Sequence, residues 1–458
     1  MKPTSKSALL TLCLVLFASA ALADTYYRTG QSSQAQGAYP QVRTARMEIR
    51  NALPSPTETD VSAAGVSYLS DLAQDDTPYS DVVDSACGAD TGCDSCDPGD
   101  DDDNGREIFG FQLGGWLDQG FSAVANNPAD RFNGVVGLND RQAEYQMNQL
   151  WLYLSRETDT GGCGWDIGGR VDVVYGTDAQ AWQCYDGLEA SWDQTQRFYQ
   201  VCLPQFYLDV AYNDFTLTIG HFITPLGYEE VMAPENFFYS LSYSYMYGVP
   251  GTHLGMMGTW DVNDNWSVFA AIHRGGDQFD DTDGKNALNF LGGVSWINDD
   301  EDTWVDFTID AEEKGPDNPT TYLTLVGGTS LTKRIDWVIE YTWGEEAGND
   351  AEWYGINQHF YYEINPCWSA GLRVEWFRDD DGFVVAGLRD GNLAQGPFVG
   401  NFYEVTLGLL WQPRERLMVR PEVRWDWYDE DEPGTPLPFD AGDRSSQALF
   451  GIDVITTF

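Results

Sequence analysis

Basic residues are scarce in this chain: 25 Lys and Arg stand against 72 Asp and Glu, a formal net charge of -47 over 458 residues. A field of that sign repels polyanions, which counts against nucleic acid and anionic lipid surfaces as partners. Histidine is rarer still, with four residues to place in any imidazole-dependent chemistry. Long apolar runs are also missing, since after Asp24 no uninterrupted stretch approaches the about 18 residues that a spanning helix needs, and mean hydropathy is -0.37. A helical membrane protein is therefore excluded. Aromatic residues and glycine are plentiful instead: 14% Phe, Trp and Tyr with 47 glycines is a β composition and not that of a solvated acidic coil.

Lys2 and Lys6 precede an apolar run from Ala8 to Ala20, and Ala21, Leu22 and Ala23 supply a small-x-small cleavage pattern before Asp24. Residues 1–23 are accordingly expected to be a secretory signal peptide. Its removal takes two lysines with it, giving -47 - 2 = -49. Cys13 lies inside the run, without the small residues of a lipoprotein site, and leaves with it. Residues 24–107, rich in Ser, Ala, Asp and Pro and ending in the acidic run Asp97 to Gly105, read as a flexible acidic periplasmic extension. Residues 108–458 read as a barrel domain.

The grounds for a barrel are periodicity, aromatic placement and loop length. Trp165, Ile167, Gly169, Val171, Val173 and Tyr175 alternate with Asp166, Gly168, Arg170, Asp172 and Val174. Ile335, Trp337, Ile339, Tyr341 and Trp343 alternate likewise with Asp336, Val338, Glu340 and Thr342, and Leu417 to Trp427 with Met418 to Tyr428. A period of two marks strands with one apolar face. A soluble sandwich would show the same alternation, but it gives no reason for Trp and Tyr at both ends of the apolar faces, where a lipid-facing surface places its girdles. About sixteen such segments follow one another, with short turns after even-numbered strands and generally longer loops after odd ones, the asymmetry of an outer-membrane barrel. The fold class expected is all-β: a transmembrane antiparallel up-and-down β-barrel with an irregular acidic N-terminal extension, both termini periplasmic. Lipid offers no hydrogen bonds, so the sheet must close on itself. The last strand ends on Phe458, in the manner of the terminal aromatic by which bacterial barrels are recognised for assembly. At this size the lumen is expected to hold water, and Pro421, which removes a ladder donor in mid-strand, is expected to sit at a bulge.

The polar faces carry Asp166, Arg170, Asp172, Asp306, Asp336, Glu340, Arg373, Glu375, Arg420, Glu422, Arg424 and Asp426. As lumen-lining charges, their acidic excess favours cations over anions, and the alternation of Arg420, Glu422, Arg424 and Asp426 could set a transverse field at a constriction. The competing reading is that they only wet a polar wall while the long loops set selectivity. His221, His253 and His273 fall near the outer ends of consecutive strands, which raises an outer-membrane surface hydrolase or a metal site as an alternative, although no triad spacing is legible. Asp100, Asp102 and Asn104 open a calcium-loop pattern whose twelfth position is Phe111 instead of an acid, so the bidentate ligand is missing. Seven cysteines follow the signal: Cys87, Cys93, Cys96, Cys163, Cys184, Cys202 and Cys367. Export favours disulfides over zinc: Cys184 with Cys202 is a feasible bridge at the outer side, Cys87, Cys93 and Cys96 could reach Cys163 or Cys367 at the other, and an odd number leaves at least one thiol free or intermolecular.

The segment from Gly115 to Asp178, together with TIGHFITPLGYE (Thr218–Glu229), YGVPGTHLG (Tyr247–Gly255) and AAIHRGGDQFDD (Ala270–Asp281), resembles the OmpL-like β-barrel porins abundant in planctomycetes. The resemblance covers most of residues 109–458. It implies an outer-membrane location in a Gram-negative-type bacterium and a porin role, and it supplies no catalytic residues. The expected function is therefore diffusion of small hydrophilic solutes or ions with a cation preference, without enzymatic activity or cofactor. A loop-plugged structural or adhesive barrel is a further alternative. The expected partners are outer-membrane lipids, the barrel-assembly machinery and the solutes. Barrels of this size are commonly homotrimers, and no interface signal is legible here.

Overall fold

The computed structural model describes residues 106–108 and 110–458, apart from 185, 190–191, 193–197, 280–287, 314–318, 387–397 and 431–436. The expected signal peptide, the acidic extension, the calcium candidates Asp100, Asp102 and Asn104, and Cys87, Cys93 and Cys96 lie outside the described residues. A three-residue strand β1 (Arg106–Ile108) pairs with the start of β2 (Phe111–Val124). The chain continues through β3 (Glu144–Arg156), β4 (Trp165–Gly176), β5 (Gln200–Tyr212), β6 (Phe215–Ile223), β7 (Thr252–Asn263), β8 (Trp266–Gly276) and β9 (Asn289–Ile297). It completes the wall with β10 (Thr303–Glu313), β11 (Pro319–Thr332), β12 (Ile335–Glu346), β13 (Ala351–Asn365), β14 (Trp368–Asp379), β15 (Gly400–Arg414), β16 (Leu417–Glu430) and β17 (Ser446–Thr457). Among the described residues two short helices, α1 (Ala179–Trp182) and α2 (Tyr243–Gly248), lie in the connections.

From β2 to β17, sixteen strands each pair antiparallel with the next, and β17 returns to β2 with Leu449 opposite Val124 and Thr457 opposite Trp116. This is the closed up-and-down barrel that the alternation indicated, and closure leaves no edge strand to solvate. Two-residue turns at 213–214, 264–265, 333–334, 366–367 and 415–416 share one end with the connections 157–164 and 298–302. Asn213 adopts φ 51°, the left-handed conformation that a two-residue hairpin turn requires. The long connections 125–143, 177–199, 224–251, 380–399 and 431–445 are at the other end.

Outward-facing aromatics form two rings. At the short-turn end Trp165 lies opposite Tyr212, Tyr212 opposite Phe215, Phe215 opposite Trp260, Trp266 opposite Trp296, and Trp368 opposite Trp411. At the long-loop end Trp343 lies opposite Tyr354, and Trp376 opposite Tyr403, which in turn faces Trp427 with ring planes only 8° apart. Between the rings the outward face is apolar, with Leu407, Val423 and Phe450 exposed. An apolar band between two aromatic girdles is the surface that a bilayer solvates.

The closing seam depends on a close approach. Gly115 N–H donates to Phe458 O at 3.0 Å, and Phe458 N–H returns a bond to Gly115 O at 2.9 Å. A Cβ on Gly115 would stand 2.2 Å from Trp151 O and 3.0 Å from the Phe458 ring, so only glycine fits there. The Phe458 side chain is 54% exposed and packs no core, so its loss removes little from the folded barrel. Phe458→Ala is expected to lower the yield of heat-modifiable, folded barrel on gels several-fold, while the protein that does assemble keeps its conductance. Equal yields would separate the terminal aromatic from assembly.

Pro421 does not sit at a bulge. It pairs with Ile452 on β17, and the register to β15 is the same on both sides of it, with Gly408 opposite Glu422 and Trp411 opposite Val419. The ladder loses its bonds at Leu409 and Leu410, and no residue is inserted. The missing N–H is thus accommodated as a local gap, and the nearest irregularity comes later, between Trp411 and Arg414.

Candidate constriction site

The connection 224–251 leaves β6 and returns to β7, yet its hydrogen bonds reach strands far around the wall. On one side Gln149 of β3 holds it, accepting from Ala233 N–H at 3.1 Å and donating to Val231 O at 2.9 Å, and Tyr239 Oη donates to Asn148 Oδ1 at 2.9 Å. On the other side it is bound by β14 and β16. β14 stands seven strands around the sixteen-strand wall from β7, where the loop returns, so the loop crosses the lumen. Ser242 caps α2 by accepting from Tyr245 N–H at 3.2 Å, and the indole of Trp353 on β13 donates to Gly248 O at 3.1 Å.

Period two puts Arg420, Glu422, Arg424 and Asp426 of β16 on the inward face, where they meet Glu404 of β15, Arg373 and Glu375 of β14 and Asp453 of β17. Register places Glu375, Glu404 and Asp426 in one row across three strands, and Arg373, Thr406 and Arg424 in the next. Three carboxylates in register repel one another. The adjacent arginines offset this: Arg373 Nε donates to Glu404 Oε2 at 2.9 Å and Arg424 Nε to Asp426 Oδ1 at 2.8 Å, while Arg420 forks onto Asp453. Their remaining donors hold the loop. Arg373 Nη1 reaches Glu229 Oε1 at 2.5 Å and Ser240 O at 2.6 Å. Arg420 Nη1 reaches Ala233 O at 2.8 Å and Asn236 O at 2.6 Å, and Arg424 Nη1 reaches Leu241 O at 2.6 Å.

The carboxylates serve the loop's N–H groups in the same way. Glu422 accepts from Tyr239 and Ser240 at 3.0 and 3.2 Å, and Glu375 accepts from Tyr243 and Ser244, the first residues of α2, at 2.7 and 2.6 Å. A helix start leaves those N–H groups without internal partners, and here the barrel wall supplies them. Arg373, Arg420 and Arg424 are at most 2% exposed as a result. The expectation that these charges face open water is corrected: irregular backbone has to be paid for in hydrogen bonds, and the wall provides them.

The other charges singled out in the sequence lie apart from this ladder. Arg170 Nε binds Asp172 at 2.8 Å, and Asp172 also accepts from Trp151 Nε1 and Gln205 Nε2. Asp166 holds the 157–164 turn through Arg156 Nη2 and Asp159 N–H, each at 2.8 Å. Asp336 accepts from Ser330 Oγ at 2.6 Å near the short-turn end. Asp306 and Glu340 are buried on β10 and β12, with a Cβ on Gly227 of the loop falling 3.2 Å from Glu340 Oε1. Glu229 and Ser240, which lock the loop, were not singled out. The one signal for them was the length of the 224–251 connection.

Beneath the loop a small pocket is lined by Tyr228, Glu229, Phe237, Phe238, His359, Tyr361 and the short-turn ends of β12, β15 and β16. On the long-loop side, Val135 and Val136 of 125–143, Val385 and Phe398 of 380–399 and Phe439 of 431–445 pack with Tyr243, Phe377 and Phe402 in one apolar cluster. Connections from several sides thus narrow the mouth.

The histidines are buried, which does not suit a surface hydrolase. His253 and His273 converge on Asp310, and His221 stands apart, its Nδ1 2.8 Å from Leu203 O. The expected Cys184–Cys202 disulfide is not formed. Cys184 is held by its N–H to Glu189 at 2.5 Å, which turns its Sγ to within 3.6 Å of His221 Nε2 and 3.8 Å of Thr252 Oγ1. Burial pushes the Glu189 carboxyl up to about 7 and raises the Cys184 thiol as well. Cys163 and Cys367 are exposed in turns at the opposite end.

The family described as "Putative beta-barrel porin-2, OmpL-like" matches residues 110–458. The chain belongs to this family. Among solved structures the porin barrel is similar to the outer membrane channel DcaP of Acinetobacter baumannii, at 10% identity and TM-score 0.50 over 76% of this chain and 97% of that one. It is also similar to an anion-selective porin from Comamonas acidovorans, at 11% identity and TM-score 0.51 over 76% and 99%. At such identities the likeness concerns the fold. No curated protein matches the sequence. Family and fold together make this OmpL-like porin an outer-membrane β-barrel of the channel type.

Proposed function

We propose that this porin passes small hydrophilic solutes and ions with a preference for cations, through a constriction between loop 224–251 and the wall. The observation that carries the reading is the uneven distribution of charge around the barrel. The arginines of β14 and β16 are covered by the loop and offset by carboxylates, as described above. Strands β9 to β13 contain no Lys or Arg, while Asp306, Asp310, Glu312, Glu340 and Glu346 are buried on the inward face of β10 and β12. That side of the lumen therefore lies at negative potential, which concentrates cations and repels anions. Arg106 and Phe458 share the short-turn end, and we assign that end to the periplasm.

The test is the reversal potential of the purified protein in a planar bilayer under a KCl gradient. Its sign is expected to be that of potassium over chloride, and Asp306→Asn combined with Glu340→Gln is expected to move it toward zero. A chloride-selective sign would overturn the preference. A plugged barrel is the second reading, favoured by the apolar cluster across the mouth, and it alone is compatible with an intact barrel that shows no open-channel steps.

A further inference from the structure

His253 on β7, His273 on β8, and Asp310 and Glu312 on β10 bring two imidazoles and two carboxylates together, with their candidate ligand atoms all within 4.8 Å of one another and every side chain buried. Both Nε2 atoms approach one carboxylate, His253 at 2.9 Å from Asp310 Oδ2 and His273 at 2.9 Å from Asp310 Oδ1. The rings meet edge to face, with centroids 4.7 Å apart. Glu312 is held by the N–H of Gly276, where an added Cβ would stand 3.0 Å from Glu312 Oε1.

As a hydrogen-bond network this cluster is under-satisfied. The Nδ1 atoms of His253 and His273 are buried without a hydrogen-bond partner among the described residues, so no second partner commits either Nε2 to donating and both Nε2 lone pairs are open to an ion. Two carboxylates and two imidazoles buried side by side are a donor set whose charge and lone pairs a divalent cation stabilises. The Nε2 to Oδ separations are close to the about 3.3 Å between neighbouring ligands of a tetrahedral shell with bonds of about 2.0 Å, so a small opening of the cluster admits an ion. Two nitrogen and two oxygen donors suit zinc-class cations, whereas calcium and magnesium sites are built from oxygen.

We propose that His253, His273, Asp310 and Glu312 form a binding site for a divalent transition-metal cation of the zinc class. His253 is the second residue of β7, directly after loop 224–251 rejoins the wall, so the cation fastens the return of the loop that crosses the lumen. The site shares Asp310 and Glu312 with the acidic wall described above, while Asp306, Glu340 and Glu346 lie outside it.

Calorimetric titration of the folded, full-length, chelator-treated protein with Zn²⁺ is expected to show one ion bound per chain, with no comparable binding of Mg²⁺ or Ca²⁺. His253→Gln with His273→Gln should weaken binding about a hundredfold, the upper end of what even an outer-shell partner contributes, and His359→Gln should leave it unchanged. If the double variant fails to assemble, X-ray absorption on zinc-loaded wild-type protein decides the matter. Imidazole nitrogen and carboxylate oxygen at about 2.0–2.1 Å are expected, whereas sulfur at about 2.3 Å would move the ion to the chain's cysteines and overturn the assignment. Absence of zinc binding by the wild type would overturn it equally.

Discussion

Replacing residues 229–244 with a short Gly-Ser linker is expected to raise single-channel conductance several-fold and to leave a folded, heat-modifiable barrel. The reason lies in how the interior is divided. The sixteen-strand wall is closed by its own ladders, so the loop contributes nothing to closure. After excision each wall arginine still has a wall partner: Arg373 keeps Glu404, Arg420 keeps Asp453 and Arg424 keeps Asp426. Glu375 and Glu422, which lose the loop's N–H groups, become accessible to lumen water. The barrel survives, and the cross-section that the loop occupies becomes solvent. An unchanged conductance would mean that current flows elsewhere or is limited by the apolar cluster at the mouth, and it would remove loop 224–251 as the constriction.

Arg373→Ala is expected to be the most damaging single substitution in the interior. Arg373 is fully buried and binds Glu404, Glu229, Ser240 O and Ser240 Oγ, with its guanidinium 5.0 Å from the centroid of the Phe238 ring. Truncation leaves two carboxylates and a carbonyl without their cation, a loss on the order of 3–5 kcal/mol for a broken buried ion pair. The loss should appear as a lower urea midpoint and as rapid current fluctuation from a loosened loop. Arg373→Lys keeps the charge but not the fork that spans wall and loop, and is expected to recover part of the stability and little of the steady current. A midpoint equal to that of the wild type for Arg373→Ala would show that the loop is held by its remaining contacts and that the ladder is not its anchor.

The wall was readable in the sequence because strands report themselves locally. Period two in Trp165 to Tyr175 or Ile335 to Trp343 needs no knowledge of distant residues, and the aromatic rings and alternating loop lengths set the topology. Pro421 was misjudged because its rule concerns isolated ladders, and here the gap at Leu409 and Leu410 was tolerated without a register change. What the wall charges do was not readable. Arg373 and Glu229 are 144 positions apart, and an aperiodic loop carries no pattern that states where it will fold. Inward charges that look alike along one strand therefore had to be sorted by structure into loop anchors such as Arg424, turn supports such as Asp166, and the His253–Asp310 cluster. Cys184 and Cys202 were placed correctly at the same end of the barrel, but spacing could not reveal that Glu189 fixes the backbone of Cys184 and aims its sulfur at His221.

The most direct test of the loop as constriction is chemical modification during current recording. In a Cys163→Ser, Cys367→Ser background, Phe237→Cys places a thiol on the part of loop 224–251 that lines the cavity beneath it. A bulky charged thiosulfonate added to the bilayer chamber is expected to reduce single-channel current in discrete steps and to leave the Cys-substituted background without Phe237→Cys unaffected. Current that is unchanged while mass spectrometry shows the thiol fully modified would contradict a conduction path running past this loop.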